Sequence, residues 1–464
     1  MALIPKSHTP TPTPTPTPSG APYLVNNFKP IEAETTAFNL EVIGHIPEAL
    51  NGRLLRIGPN PASVSDPTQY HWFSGSGMAH GLRLRDGKAE WYRSRYVRDA
   101  SVITALKLPS LGGPGAGSRD GSVNTNFTSV GGKLYAVVEA GSLPVELSYE
   151  LESVARADFN GTLEAGFTGH PKCDPITGEQ HALAYEPGQP VRYISLDQNG
   201  YATTKARIDL PHIPLIHDMA FTASFIIIPD LPVTFQPEHA KAKFPWLWDE
   251  RRDARIGLLP RNADLANIRW FEAPRCFVFH FVNAYDDGNL TIIDLARHPR
   301  MFDRDHNGPN EGAPTLARWT LDRRSGRLSE TLLDDHGTEF PRINDLFGGQ
   351  SYRFAYTAHW GRDIRFGPAM KHDMLRGTTE IHHYGPGRMT LEPIFVRKPE
   401  ALAEDEGWIM SYVYDAACNL SDVVILDAQD FTGEPVATIR LPVRVPFGFH
   451  GEWIADDTLP SPAA

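Results

Sequence analysis

From about residue 25 onward the chain is a succession of short apolar or alternating runs, each closed by a polar turn. Examples are "GRLLRIGPN" (52–60), "GGKLYAVVEAG" (131–141), "VRYISLDQNGYATTKARIDL" (191–210), "CFVFHFVNAYDDGNLTIIDLA" (276–296), "ARWTLDRRSGRLSETLL" (317–333) and "DVVILDAQDFTGEPVATIRL" (422–441). Many neighbouring runs are joined by DG, NG, SG or TG, the residues that tight hairpin turns require. The pattern predicts antiparallel β-sheet almost throughout. Helical spacing is scarce: 142–159 and 238–257 could each supply a short helix, and neither alternates with strands as a parallel α/β fold demands. Some 430 residues of short hairpins suit an all-β propeller, whose radial blades leave only short edges, although no WD or kelch repeat is visible.

Composition narrows the function classes. Of 464 residues, 44 are Lys or Arg and 56 Asp or Glu, for a net charge of −12. That field repels polyanions, and no basic patch offsets it, so nucleic acid is not an expected partner. Cys173, Cys276 and Cys418 are odd in number and widely spaced, which argues against a disulfide framework or thiolate metal site and fits a cytoplasmic location. Residues 1–20 end in Thr-Pro repeats that offer nothing to bury, and we expect them to form a disordered tail preceding a single domain over 21–464. No apolar run approaches the roughly 20 residues of a membrane span. Two stretches, 102–117 and 241–252, set Leu, Phe and Trp beside Lys and Arg, a combination compatible with peripheral contact at a membrane surface. No obligate protein partner is evident.

The chain has 18 histidines. His298, His306, His382 and His383 stand beside charged or turn residues, and exposure is expected for them. His217 in "LIHDMAFTASFIIIPD" (215–230), His280 in "CFVFHFVNAY" and His450 after "VRVPFGF" sit where strands should be buried. A buried imidazole without partners is costly, so each reads either as a hydrogen-bonded core histidine or as a metal ligand. His170 in "FTGHPKCDP" has an uninformative local context. The separations suit different blades of a closed propeller, whose axis supplies a meeting point. "GSGMAHG" (75–81) has glycines like those of a dinucleotide loop but lacks a βαβ context, and reads as a propeller turn.

Ordered motifs over residues 22–455 resemble those of the carotenoid cleavage oxygenases. They include "GRLLRIGPNP", "WFSGSGMAHGLRLRDGKAEWYRSRYVR", "NTNFTSVGGKLYAVVEAG", "GHPKCDP", "IHDMAFT", "FHFVNAYDDG", "EFPRIN", "EPIFV" and "FGFHGEW". The resemblance implies a seven-bladed propeller with a cap of loops and short helices, and one Fe(II) on His170, His217, His280 and His450. It further implies that Glu139, Glu339 and Glu392 accept hydrogen bonds from ligand imidazoles, that the Thr125 methyl crowds one coordination position, and that Phe73 and Val138 meet substrate. The implied reaction is cleavage of a conjugated C=C bond of a carotenoid or apocarotenoid by dioxygen to two carbonyl products. Family members acting on hydroxystilbenes carry a lysine where this chain has Val138, and the tyrosine that partners it has no clear counterpart in "YVRDASVITA". A phenolic substrate therefore loses its polar anchors. Cleavage of a stilbene or phenylpropenoid, an isomerase or hydrolase on the same scaffold, and a non-catalytic binding propeller remain the competing readings.

Overall fold

The computed structural model describes residues 21–114, 121–239, 244–361 and 364–459, so the Thr-Pro tail lies outside the described residues. Seven antiparallel sheets of four to six strands are arranged as a seven-bladed β-propeller, with one extra ribbon formed by Val233–Phe235 and Trp246–Trp248. The first strands of successive sheets meet one another around the axis. Hydrophobic residues follow from position within the blade. A middle strand such as Val191–Leu196 is buried on both faces because neighbouring blades cover it, and the outer strand Arg327–Asp334 is largely exposed. Hairpins use the expected chemistry: Asp86 and Gly87, with φ of 48° and 71°, link Gly77–Arg85 to Lys88–Tyr96.

Both ends of the described chain close the ring. Thr35–Ala37 and Val42–Gly44 add outer strands to two different blades, and Gly451–Ala455 pairs with Gly52–Pro59 in the register Gly52↔Ala455 to Arg56↔Gly451. At this seam the backbones come so close that a Cβ on Gly58 would lie 2.2 Å from the Gly448 Cα. Only glycine fits there.

Several local expectations are corrected. Residues 142–159 form strands Val145–Leu147 and Ser153–Arg156 instead of a helix: Val145 and Leu147 both bury while Glu146 between them does not, the alternation of a strand packed on one face. In 238–257 the chain makes a single-turn 3-10 helix ending at His239, then strands Trp246–Trp248 and Ala254–Pro260, with 240–243 outside the described residues. The one α-helix among the described residues, Ala100–Leu106, is capped by the Asp99 side chain, which accepts from the Val102 N–H at 2.8 Å. "GSGMAHG" runs straight into the strand Gly77–Arg85. Trp246 and Trp248, offered above as lipid-facing, are buried in the core; in the other stretch, Leu106 is exposed, and 115–117 lie outside the described residues. His298 and His382 are buried as well, the first at the end of a middle strand and the second at the end of an otherwise exposed outer strand, whereas His306 and His383 are exposed as expected. All three cysteines are free thiols. Among the described residues, no helix is long and apolar enough to cross a membrane.

Candidate metal centre

Four first strands bring four imidazoles to the axis. His170 lies two residues before Lys172–Cys173, His217 three before Ala220–Phe221, and His450 one before Gly451–Ala455. His280 lies within Phe277–Asp287, where the ladder slips register between Val278 and Phe281 and the strand turns a side chain inward. The ligand nitrogens of all four lie within 4.8 Å of one another. Nε2 to Nε2 distances are 3.1 Å for His170–His217, 3.2 Å for His217–His280 and 3.1 Å for His280–His450.

Carboxylates fix how these rings are protonated. Nδ1 of His217 donates to Glu139 Oε1 at 2.8 Å, Nδ1 of His280 to Glu339 Oε2 at 2.5 Å, and Nδ1 of His450 to Glu392 Oε1 at 3.0 Å. Each neutral ring then turns an Nε2 lone pair toward the other two. The Nε2 lone pairs of His217 and His280, and of His280 and His450, held 3.2 and 3.1 Å apart, repel unless a cation lies among them, and two nitrogens in adjacent coordination positions, each about 2.1–2.2 Å from a metal, are themselves about 3.0–3.1 Å apart. The donor set therefore fits a divalent transition metal.

The surrounding fields agree. Burial, reinforced by the neighbouring imidazoles, holds His170 well below the ordinary histidine value, and burial takes His450 down to about 3 despite Glu392. At His217 burial works against the charged form, but the Glu139 carboxylate overrides it and raises the value. Burial would raise Glu339 and Glu392, yet His280 and His298 beside the first, and His450 and Arg342 beside the second, pull both well below the usual carboxylate range. Arg342 lies 3.7 Å from Glu392 and donates to Glu452 at 2.9 Å.

On one side the ring opens into a cavity of about 190 Å³ with walls from Trp72, Phe73, Phe244, Phe279, Trp360 and Phe449. Thr125, Val138 and Glu139 also line it, so Phe73 and Val138 both face this space. The 3-10 turn Trp72–Ser74, the strand Trp246–Trp248 and the loop at Pro309 contribute to its roof. On the other side a more polar cavity of about 550 Å³, lined by Lys172, Asp218, Arg342 and Glu452 among others, reaches His170, His280 and His450. Sequence reasoning missed three neighbours of the site: Tyr185, whose hydroxyl donates to Glu139, His298, which bonds Glu339, and Arg342. No local signal marks His298, because the burial of its strand is set by the two strands that flank it.

Comparison with known proteins gives the same direction. The family model described as retinal pigment epithelial membrane protein matches residues 28–455. A carotenoid cleavage oxygenase of Mycobacterium tuberculosis is 37% identical, over 93% of this chain and 97% of its own. Isoeugenol monooxygenase of Pseudomonas putida is 33% identical, over 93% and 98%. The crystal structure of Pseudomonas brassicacearum lignostilbene dioxygenase superposes with a TM-score of 0.85 at 26% identity, covering 95% of this chain and 100% of that one. With fold, axial histidines and near full-length relatives in agreement, the chain belongs to the carotenoid cleavage oxygenase family and is a dioxygenase of that type.

Proposed function

We propose that this chain binds one Fe(II) through His170, His217, His280 and His450 and uses dioxygen to cleave a conjugated C=C bond of a carotenoid or apocarotenoid into two carbonyl compounds. The observation that carries the reading is the ring of four Nε2 atoms opening on an aromatic-walled cavity. Bound iron would supply dioxygen activation. The alkene itself provides the four electrons, so the overall reaction consumes no external reductant.

The protein's own contribution is positional. Glu139, Glu339 and Glu392 accept from the Nδ1–H of His217, His280 and His450, which fixes the tautomer and aims each Nε2 inward. Phe73, Phe279 and Phe449 offer flat faces and edges to a planar conjugated chain and keep water from its alkene carbons. Val138 makes the wall beside Glu139 apolar, which favours a hydrocarbon segment there over a phenol. Thr125 stands at the cavity wall next to the ring, where its methyl would restrict the space open to dioxygen.

A second reading, cleavage of an aryl alkene, is favoured by the compactness of the cavity and by the likeness to isoeugenol monooxygenase. The test is a panel of β-apocarotenals, intact carotenoids, resveratrol and isoeugenol offered to Fe(II)-loaded protein, with oxygen uptake measured and products identified by mass spectrometry. One iron per chain and one O2 per apocarotenoid consumed supports the proposal. Preference for resveratrol or isoeugenol selects the second reading, iron without oxygen uptake points to isomerisation, and a metal-free chain leaves a binding scaffold. His280→Ala is expected to lose iron and activity together.

A further inference from the structure

Each carboxylate facing the ring has a second oxygen, and each second oxygen is held. For Glu392 the holder is backbone: Oε2 accepts from the Gly451 N–H at 2.7 Å. For the other two it is a side chain. Tyr185 donates its hydroxyl to Glu139 Oε2 at 2.8 Å while Oε1 takes His217, and His298 donates its Nε2–H to Glu339 Oε1 at 2.8 Å while Oε2 takes His280 and the Phe340 N–H.

Neither side chain has another hydrogen-bond partner among the described residues. Tyr185 is 1% exposed, and its ring packs edge-on against Trp246 at 5.2 Å. His298 is 0% exposed in an aromatic setting, edge-on to Phe279 at 5.2 Å and to Trp360 at 6.1 Å, and its Nδ1 has no partner. An imidazole with an unpaired buried nitrogen is a poor choice for filling space, since an apolar side chain would avoid the desolvation cost. What the ring adds is its single bond to Glu339. A carboxylate tied at one oxygen can swing about its terminal torsion, which is a soft, broad one, and the imidazole it holds swings with it. Tied at both oxygens, it cannot.

We propose that Tyr185 and His298 are positioning residues of the metal centre, which lock Glu139 and Glu339 and through them set the orientation of His217 and His280. The inference rests on the reading that the ring holds iron. The test uses the full-length Fe(II)-loaded chain with Tyr185→Phe, His298→Leu and His298→Gln, the last able to present an amide N–H near the position of Nε2, and with Glu339→Gln as reference. Two measurements are made: the rate of iron transfer to a ferrous chelator, and the electron paramagnetic resonance spectrum of the nitric oxide complex. Tyr185→Phe and His298→Leu are expected to release iron roughly three- to tenfold faster, less than the 10- to 100-fold typical for loss of a carboxylate partner, and to shift the spectrum. His298→Gln should restore both. If Glu339→Gln speeds release while Tyr185→Phe and His298→Leu behave as wild type, the proposal is overturned and the iron reading stands. If His298→Gln fails to restore the His298→Leu losses, the ring's role is packing and the proposal is equally overturned. A wild-type chain that retains no iron removes the reading beneath it.

Discussion

Gly169→Ala is the substitution whose consequence is most directly set by the geometry of the site. Gly169 precedes His170, and a Cβ added there would meet Thr125 Cγ2 at 2.8 Å and Thr125 Cβ at 3.3 Å. Carbon atoms pack at about 3.5–4.0 Å, so the new methyl overlaps Thr125 by roughly 0.7–1.2 Å. Thr125 has little freedom to yield. Its N–H donates to the Val137 carbonyl at 3.2 Å, its carbonyl accepts from the His450 N–H at 3.2 Å, and its hydroxyl donates to Asn124 Oδ1 at 3.2 Å. Relief must come largely from the Gly169 side, which carries His170 with it. Overpacking of this kind costs about 1–3 kcal/mol. If the strain falls wholly on the metal centre, iron affinity drops by about 5- to 150-fold, since 1.4 kcal/mol is a factor of ten. Chelator competition measures that share, and urea unfolding of the iron-free chain measures the share borne by the fold. The double variant with Thr125→Ser deletes Cγ2, leaves a nearest contact of 3.3 Å, and should recover most of the loss. A Gly169→Ala protein that matches wild type in both affinity and stability, or a double variant no better than the single one, refutes this account of the close approach.

Three further outcomes are expected. Val138→Lys places an ammonium at the cavity wall beside Glu139 and Tyr185, and a hydrogen bond to a charged donor, worth about 1.5–3 kcal/mol, should raise kcat/KM for hydroxylated aryl alkenes relative to β-apocarotenals by roughly 10- to 150-fold in a competition assay. Glu392→Gln must turn an amide N–H toward either the His450 Nδ1–H or the Gly451 N–H, because both carboxylate oxygens accept from donors, so iron affinity by titration should fall about 10- to 100-fold. Trp246→Ser removes a ring that is 6% exposed and edge-on to Tyr185 and Phe235, and should destabilise the chain by about 3–5 kcal/mol in urea unfolding while leaving sedimentation with liposomes unchanged.

What could be read in the sequence follows from which signals are local. Hairpin turns are local, so the all-β assignment held from "DGK" and "GGK" to the last blade. Helix against short strand is settled by packing: "SLPVELSYELESVARADF" has helix-compatible spacing, yet its Val145, Leu147 and Leu151 fill the gap beneath Leu55 and Ala79 and are held there as strand and turn. Exposure is equally non-local. "ARHPR" looks like a turn, but His298 is the final residue of a strand lying between two others, and "FPWLW" looks like a surface loop until its ribbon folds onto the core. Tyr185 and Arg342 carry no sequence signature for their places beside Glu139 and Glu392, since residues 46 and 50 positions apart meet only once the ring is closed.

The spacing of the four histidines is uneven, with 170 residues between His280 and His450, and this gap has a structural explanation. Seven blades have seven first strands, and each brings one residue to the axis at or just before its inner end: Thr125, His170, His217, His280, Glu339, Glu392 and His450, in chain order. Successive members are 45 to 63 residues apart, about one blade each, and Glu339 and Glu392 occupy the two turns of the ring between His280 and His450. The two glutamates thus stand next to the histidines they hold, His280 and His450, because neighbouring blades put them there. Thr125 closes the circle through its backbone bond to His450. Its blade offers a small side chain in place of a ligand, and supplies Glu139 from just beyond the end of its second strand, Lys133–Val137. Four nitrogens, two carboxylates and one methyl-bearing side chain are then a single repeated position with three different occupants, and Thr125, His217, His280, Glu339 and His450 among them also line the aromatic cavity. The same inner positions thus supply both the imidazoles and part of the cavity wall, so a closed ring assembles a site suited to a metal and the space beside it from residues far apart in the sequence.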